Sequence, residues 1–122
     1  MARVMIVDDA LFMRQLLTKI FVDEGYEVCV EAGTARDAVE KYKEFKPDVV
    51  TMDIVMPMME DLDGIGAVKE ILKFDPRAKV VVVSVMGEQS LVVEAIKAGA
   101  KDFVVKPVRP ARLLDVVKGL LR

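Results

Sequence analysis

Residues 49–53 read Val49-Val50-Thr51-Met52-Asp53, a short and almost wholly apolar run that ends in a carboxylate. The pattern recurs on both sides of it. Val4-Met5-Ile6-Val7 runs into Asp8-Asp9, Val80-Val81-Val82-Val83 into Ser84, and Phe103-Val104-Val105 into Lys106-Pro107. Runs that are apolar on both faces suit strands covered by helices on both sides, as in a parallel sheet. Tyr26-Glu27-Val28-Cys29-Val30 alternates instead, as a half-exposed strand does, and is placed at a sheet edge.

Amphipathic stretches separate these runs. Met13, Leu16, Leu17 and Ile20 recur at helical offsets, with a stop at Gly25. Thr34 is a good N-cap with Asp37 three residues on, and Ala35, Ala38, Val39, Tyr42 and Phe45 form the stripe of a second helix. Ile65, Val68 and Leu72 mark a third, which must stop before Pro76. Leu91, Val92, Ala95 and Ile96 mark a fourth, ended by Gly99. Leu113, Val116, Val117 and Leu120 mark the last, with Pro110 in its first turn. Five strand–helix pairs in alternation predict an α/β fold, a single (βα)5 doubly wound parallel sheet of flavodoxin-like type. The strand order 2-1-3-4-5 is taken from sheets of that type and agrees with an alternating second strand at the edge.

The 122 residues, 53% of them apolar, fit one domain over residues 1–122 with an adequate core and no separate output domain. A net charge of −2 lacks the basic surplus of a nucleic-acid binder. The single cysteine, Cys29, is read as an inert buried thiol and excludes a disulfide framework or a multi-cysteine zinc site. With no histidine, Ser-His-Asp catalysis, histidine metal ligation and a histidine pH switch are excluded. The apolar run at the N-terminus is too short for a signal peptide or a membrane span. A cytoplasmic monomer without membrane contact is expected. The eight methionines read as core filler, although Met56, Met58 and Met59 cluster as an adaptable loop patch. Glu60-Asp61-Leu62-Asp63-Gly64 lacks the spacing of a calcium loop.

In an open α/β sheet, ligands bind beyond the carboxyl ends of the strands. Asp8, Asp9, Asp53, Ser84 and Lys106 all follow strands, and neighbouring first and third strands bring the three carboxylates together. A carboxylate pair ~4 Å apart repels by about 4 kcal/mol at an effective dielectric of ~20. Either their pKa values rise or a cation joins them. Hard oxygen donors without histidine favour Mg2+ over zinc or copper. Such a site suits an incoming phosphoryl group, with Asp53 either a ligand only or a nucleophile forming an acyl phosphate. The Lys106 ammonium would balance phosphoryl charge, and Ser84 would supply a hydroxyl donor. Taken singly, Asp8 or Asp9 reads as a helix cap, Asp53 as a turn residue, Ser84 as a cap and Lys106 as a solvated side chain. Their convergence gives them a purpose.

This quintet, within Val7-Asp8-Asp9, Asp53-Ile54-Val55-Met56-Pro57 and Val105-Lys106-Pro107, resembles the response-regulator receiver domain over essentially the whole chain. With Asp8-Asp9-Ala10-Leu11-Phe12-Met13-Arg14 and Ala98-Gly99-Ala100-Lys101-Asp102-Phe103, it is most similar to the stand-alone chemotaxis regulators of that family. The resemblance implies Asp53 as phosphoacceptor, Asp9 as a direct Mg2+ ligand, Asp8 acting through water and the Val55 carbonyl as a third protein ligand. It implies that Lys106 binds the phosphoryl group, with a cis bond to Pro107. Ser84 would move toward that group, while Phe103 turns from a solvent-facing to a buried rotamer. The fourth helix, fifth strand and fifth helix would form the partner face, with Gly87, Glu88, Ser90, Phe103, Val108 and Arg109 as candidates. Implied partners are a sensor histidine kinase, a motility-motor switch protein or an adaptor to it, and a separate phosphatase. The domain would assist its own phosphorylation and dephosphorylation without being an enzyme in the ordinary sense.

Three features depart from the family pattern. Gly64 lies seven residues after Pro57, so the segment Met58 to Asp63 looks about three residues longer than usual, a change tolerated in a loop. Val85 follows Ser84 where a small residue is preferred, and could narrow the entry to Asp53. Phe103 stands where many relatives carry Tyr, which removes a hydroxyl. Among rival functions, a flavin carrier would need N–H donors where Asp8-Asp9 stand. An aspartyl phosphatase would need an acid where Val55 stands. A phosphorylation-independent docking module would not need all five polar residues.

Overall fold

The five apolar runs all become strands: β1 (Arg3–Val7), β2 (Glu27–Ala32), β3 (Val49–Met52), β4 (Val80–Ser84) and β5 (Asp102–Val105). They pair in parallel in one sheet ordered β2-β1-β3-β4-β5 in this computed structural model, which describes residues 1–56 and 62–122. Five helices cover it: α1 (Leu11–Asp23), α2 (Ala35–Phe45), α3 (Gly64–Phe74), α4 (Gln89–Ala98) and α5 (Pro110–Leu121). The readings of Pro57, Met58, Met59, Glu60 and Asp61, including most of the lengthened loop, lie outside the described residues.

Side chains alternate across a strand, and both sides of this sheet are dry. Val4 and Ile6 join Leu17, Phe21, Leu113 and Val117 in one core; Met5 and Val7 join Ala38, Val39, Val68 and Ile71 in the other. This is why β1, β3 and β4 show no polar face. β2 has a neighbour on one side only, and its residues are mostly half-exposed. The expected buried Cys29 thiol is accordingly half-buried on that edge strand; burial still pushes its pKa up, which keeps it protonated and unreactive.

Two helix stripes differ from expectation. α1 buries Leu17 and Phe21 while Leu16 is 37% exposed, because Leu16 lies about 100° around the helix from Leu17. α4 buries Ala95 and Ala98 and leaves Ile96 45% exposed for the same reason. The Thr34 hydroxyl accepts from the Asp37 N–H at 3.1 Å and caps α2 as expected. Gly99 ends α4 at φ 117°, a left-handed conformation that its missing side chain permits. Among the described residues no helix is long and apolar enough to cross a membrane.

Register places the polar residues. Val7 on β1 lies opposite Met52 on β3, so Asp8 and Asp53 each leave the sheet one residue later, side by side. The Asp53 N–H still bonds the Val7 carbonyl at 2.9 Å, and the Asp8 N–H bonds the Ala32 carbonyl at 3.0 Å. Ser84 lies opposite Val105, and the Lys106 N–H bonds the Ser84 carbonyl at 2.8 Å. The Lys106–Pro107 bond is cis, as expected.

Candidate functional site

The carboxylates of Asp8, Asp9 and Asp53 each offer one oxygen such that all three atoms lie within 4.8 Å of one another. Asp8 and Asp53 are buried and Asp9 is exposed. Lys106 reaches over from the end of β5. Its Nζ is 2.7 Å from Asp8 Oδ2 and 3.4 Å from Asp53 Oδ2. The shorter contact is to Asp8, so the ammonium leans on the residue next to the acceptor more than on the acceptor itself.

Asp8 caps no helix. The N-cap of α1 is Ala10, with no side-chain cap bond, and Asp8 Oδ1 instead accepts from the Ala10 N–H at 2.9 Å. Both Asp8 oxygens are thus occupied. Asp9 has no hydrogen-bond partner among the described residues, which leaves its carboxylate open. Asp53 Oδ1 accepts from the Val55 N–H at 2.9 Å, so the turn after β3 folds back on the side chain that precedes it.

Burial raises the Asp53 pKa above its ordinary value; the Val55 N–H and the Lys106 charge work the other way, and the Asp8 carboxylate adds to the rise. Burial also disfavours the Lys106 ammonium, but its bond to Asp8 and the charges of Asp53 and Asp8 outweigh that, and its pKa is raised. The two shifts are compatible because Asp8 is the nearer partner of Lys106.

Three carboxylates around one ammonium leave two negative charges uncompensated. A hard divalent cation matches that deficit and an all-oxygen donor set without histidine or cysteine. The residues present therefore fit a Mg2+-type ion, with Asp9 and Asp53 the carboxylates best free to hold it.

Ser84 is fully buried at the end of β4, and its hydroxyl accepts from the Met86 N–H at 3.3 Å instead of contacting Asp53 or Lys106. Val85 is 60% exposed. Phe103 requires a correction. Its ring was expected to start in solvent and to serve the partner face, yet it is buried, in the core that includes Ala95, Ala98 and Ala100. Exposing an aromatic ring would cost roughly 2–3 kcal/mol. Beside it, Gly87, Glu88, Ser90 and Arg109 are exposed and Val108 is half-buried against the other core. Phe103, Val104, Val105, Pro107, Arg109 and Arg112 line a hollow of ≈ 350 Å³ on this face.

Two contributors escaped the sequence reading. Gly64 starts α3 against the strand end: a Cβ there would lie 2.5 Å from Ile54 Cα and 2.9 Å from the Asp53 carbonyl. The sequence marked Gly64 only by its displaced position. Arg14 donates from Nη1 to the Asp8 carbonyl at 2.7 Å and from Nε to Glu31 Oε1 at 3.1 Å. An arginine on a helix has no local signature of such reach.

The sequence matches the response regulator receiver domain family over residues 4–118. It is 59% identical over 115 residues to the chemotaxis protein CheY of Thermotoga maritima, covering 94% of this chain and 93% of that protein. It is 51% identical over 119 residues to CheY of Bacillus subtilis, covering 98% and 97%. Among solved structures it is similar to a chain of the CheX-CheY-BeF3-Mg complex from Borrelia burgdorferi, with TM-score 0.93, 39% identity and coverage of 99% and 90%. It is also similar to the response regulator domain of Thermotoga maritima CheB, with TM-score 0.89, 37% identity and coverage of 98% and 96%.

Proposed function

The chain belongs to the response regulator receiver domain family, and from that premise we propose that it is a phospho-accepting regulator of chemotaxis whose acceptor is Asp53. The observation that carries the reading is the meeting of Asp8, Asp9 and Asp53 within 4.8 Å, with Lys106 set between Asp8 and Asp53.

A carboxylate oxygen of Asp53 forms a bond to the phosphorus of the donor as the donor's bond to phosphorus breaks. The donor is a histidine kinase phosphohistidine or a small acyl phosphate, and the leaving group takes the bonding pair. Asp9, Asp53 and the Val55 carbonyl would hold Mg2+, with Asp8 acting through water, and the ion would supply charge neutralisation for the phosphoryl oxygens. Lys106 leaves Asp8 for a phosphoryl oxygen, exchanging one charge-assisted contact for another. The Ser84 hydroxyl gives up the Met86 N–H and donates to a second phosphoryl oxygen. Phe103 is already buried, so the phosphoryl group stabilises a ring position that the unmodified domain samples. The face of α4, β5 and α5 then reports the state to a motility-motor component or an adaptor, and a separate phosphatase speeds the return.

Intact mass after incubation with acetyl phosphate and Mg2+ tests this. One phosphoryl adduct is expected on the wild type, none on Asp53→Asn and none in a chelator. Equal labelling of Asp53→Asn overturns the acceptor assignment. Labelling that persists in the chelator overturns the metal role.

A further inference from the structure

Asp8 is held at each of its polar groups. Its N–H bonds the Ala32 carbonyl, its Oδ1 accepts from Ala10 and its Oδ2 from Lys106. Its carbonyl is the first beyond the β1 ladder and is held by Arg14 Nη1 at 2.7 Å. Arg14 sits one turn into α1, its side chain 20% exposed, and reaches back over the turn it follows. Its Nε rests on Glu31, near the end of edge strand β2. One planar fork thus joins α1, β1 and β2 at the peptide between Asp8 and Asp9, where α1 has no side-chain cap of its own.

We propose that Arg14, anchored by Glu31, is a positioning residue of the acidic centre. By fixing the Asp8 carbonyl it sets the orientation of the next peptide, and so the direction in which the Asp9 carboxylate leaves the chain. Without it that carbonyl turns to water, the turn gains freedom, and Asp9 must be ordered each time a cation binds. The inference rests on the reading that Asp8, Asp9 and Asp53 hold a divalent cation. Charge alone acts in the opposite sense, since removing a cation from the neighbourhood favours Mg2+. The Arg14 substitutions must therefore conserve net charge to isolate the geometric effect.

The test is a calorimetric Mg2+ titration of the wild type, Glu31→Gln, the pair Arg14→Gln with Glu31→Gln, and Arg14→Lys, each with its melting temperature in EDTA. Tyr42→Phe, which loses a hydrogen bond at the opposite end of the sheet, controls for a general loss of stability. The charge-conserving pair is expected to bind Mg2+ about tenfold more weakly, the low end for an outer-shell partner. Glu31→Gln, which keeps the Asp8 bond, should stay within about twofold. Arg14→Lys should fall between them, since an ammonium can hold one of the two acceptors but not both. Tyr42→Phe should melt lower with unchanged Mg2+ affinity. If the wild type binds Mg2+ and both Arg14 variants match it within twofold, the proposal is overturned while the metal reading stands. If the wild type shows no binding, the metal reading falls and the proposal falls with it.

Discussion

Asp53→Asn is expected to make the metal-free protein more stable, although it removes the proposed acceptor. The carboxylate oxygens of Asp8 and Asp9 lie within 4.8 Å of that of Asp53. Each such pair repels by roughly 3.5 kcal/mol at an effective dielectric of ~20, so two pairs give about 7 kcal/mol. Against this stands Lys106 at 3.4 Å, worth roughly 5 kcal/mol on the same scale. The balance of about 2 kcal/mol is unfavourable before burial is added. Asparagine keeps an oxygen for the Val55 N–H, and Lys106 keeps Asp8. A gain of about 2 kcal/mol corresponds to roughly 8 °C in melting temperature for a domain of this size. The pH dependence has a definite sign. Asp53 is raised in the folded state, so the folded protein binds more protons than the unfolded chain above pH ~4. Wild-type stability therefore falls as pH rises from there through the folded pKa, and the advantage of Asp53→Asn opens over the same interval. Saturating Mg2+ reverses the ranking, since a ligand at 100 times its Kd adds about 2.7 kcal/mol to the form that binds it. Thermal melts in EDTA and in Mg2+ across pH check each step. An Asp53→Asn protein that melts at or below the wild type in EDTA at about pH 7 would refute the reasoning.

Thr51 on β3 is buried with its hydroxyl unpartnered, so Thr51→Val should stabilise the fold by about 1 kcal/mol in urea unfolding. The Tyr42 hydroxyl donates to Asp75 Oδ2 at 2.7 Å and lowers the Asp75 pKa, so Tyr42→Phe should cost about 1 kcal/mol near neutrality. A lowered carboxyl contributes stability above its unfolded pKa and loses it as pH falls through the folded one, so that cost should shrink below pH ~4. Gly64→Ala drives a methyl into Ile54 Cα and the Asp53 carbonyl; it should cost about 1–3 kcal/mol in the same assay and slow acetyl phosphate labelling.

The fold was legible because burial on two sides of a parallel sheet removes polar residues from the inner strands, and β1, β3 and β4 carry that mark, with Thr51 the one polar residue inside a strand and Arg3 and Ser84 at strand ends. Helix existence was equally plain, and on α1 Met13, Leu17 and Ile20 pack on the core as expected while Leu16 does not. Leu16 and Leu17 are indistinguishable to a periodicity argument; only packing against Val4 and Ile6 decides that Leu17 goes in. Thr34 and Gly99 acted as punctuation because their chemistry is local, a hydroxyl reaching three residues on and a backbone angle.

The site was legible at its centre and illegible at its supports, for one physical reason. Strand ends in a parallel sheet share an edge, so a residue type at a strand end is already a position in space, and Asp8, Asp53 and Lys106 meet as a consequence of register. Long side chains carry no such information. Lys106 could favour either of two buried carboxylates, and its 2.7 Å contact with Asp8 against 3.4 Å with Asp53 follows from competition between them. On the proposed reading the preference is apt: an ammonium resting on Asp8 offsets one charge of the cluster while leaving the Asp53 oxygen only loosely engaged, so the proposed acceptor need not break a strong ion pair to react. Phe103 teaches the same lesson from the apolar side. Its strand position was right, but whether an aromatic ring lies in or out depends on the core around it, which only the packed structure fixes. With the ring already seated inward, the proposed phosphorylation would act mainly on the loop from Ser84 to Glu88, and it is there that a difference between the two states is expected to be largest.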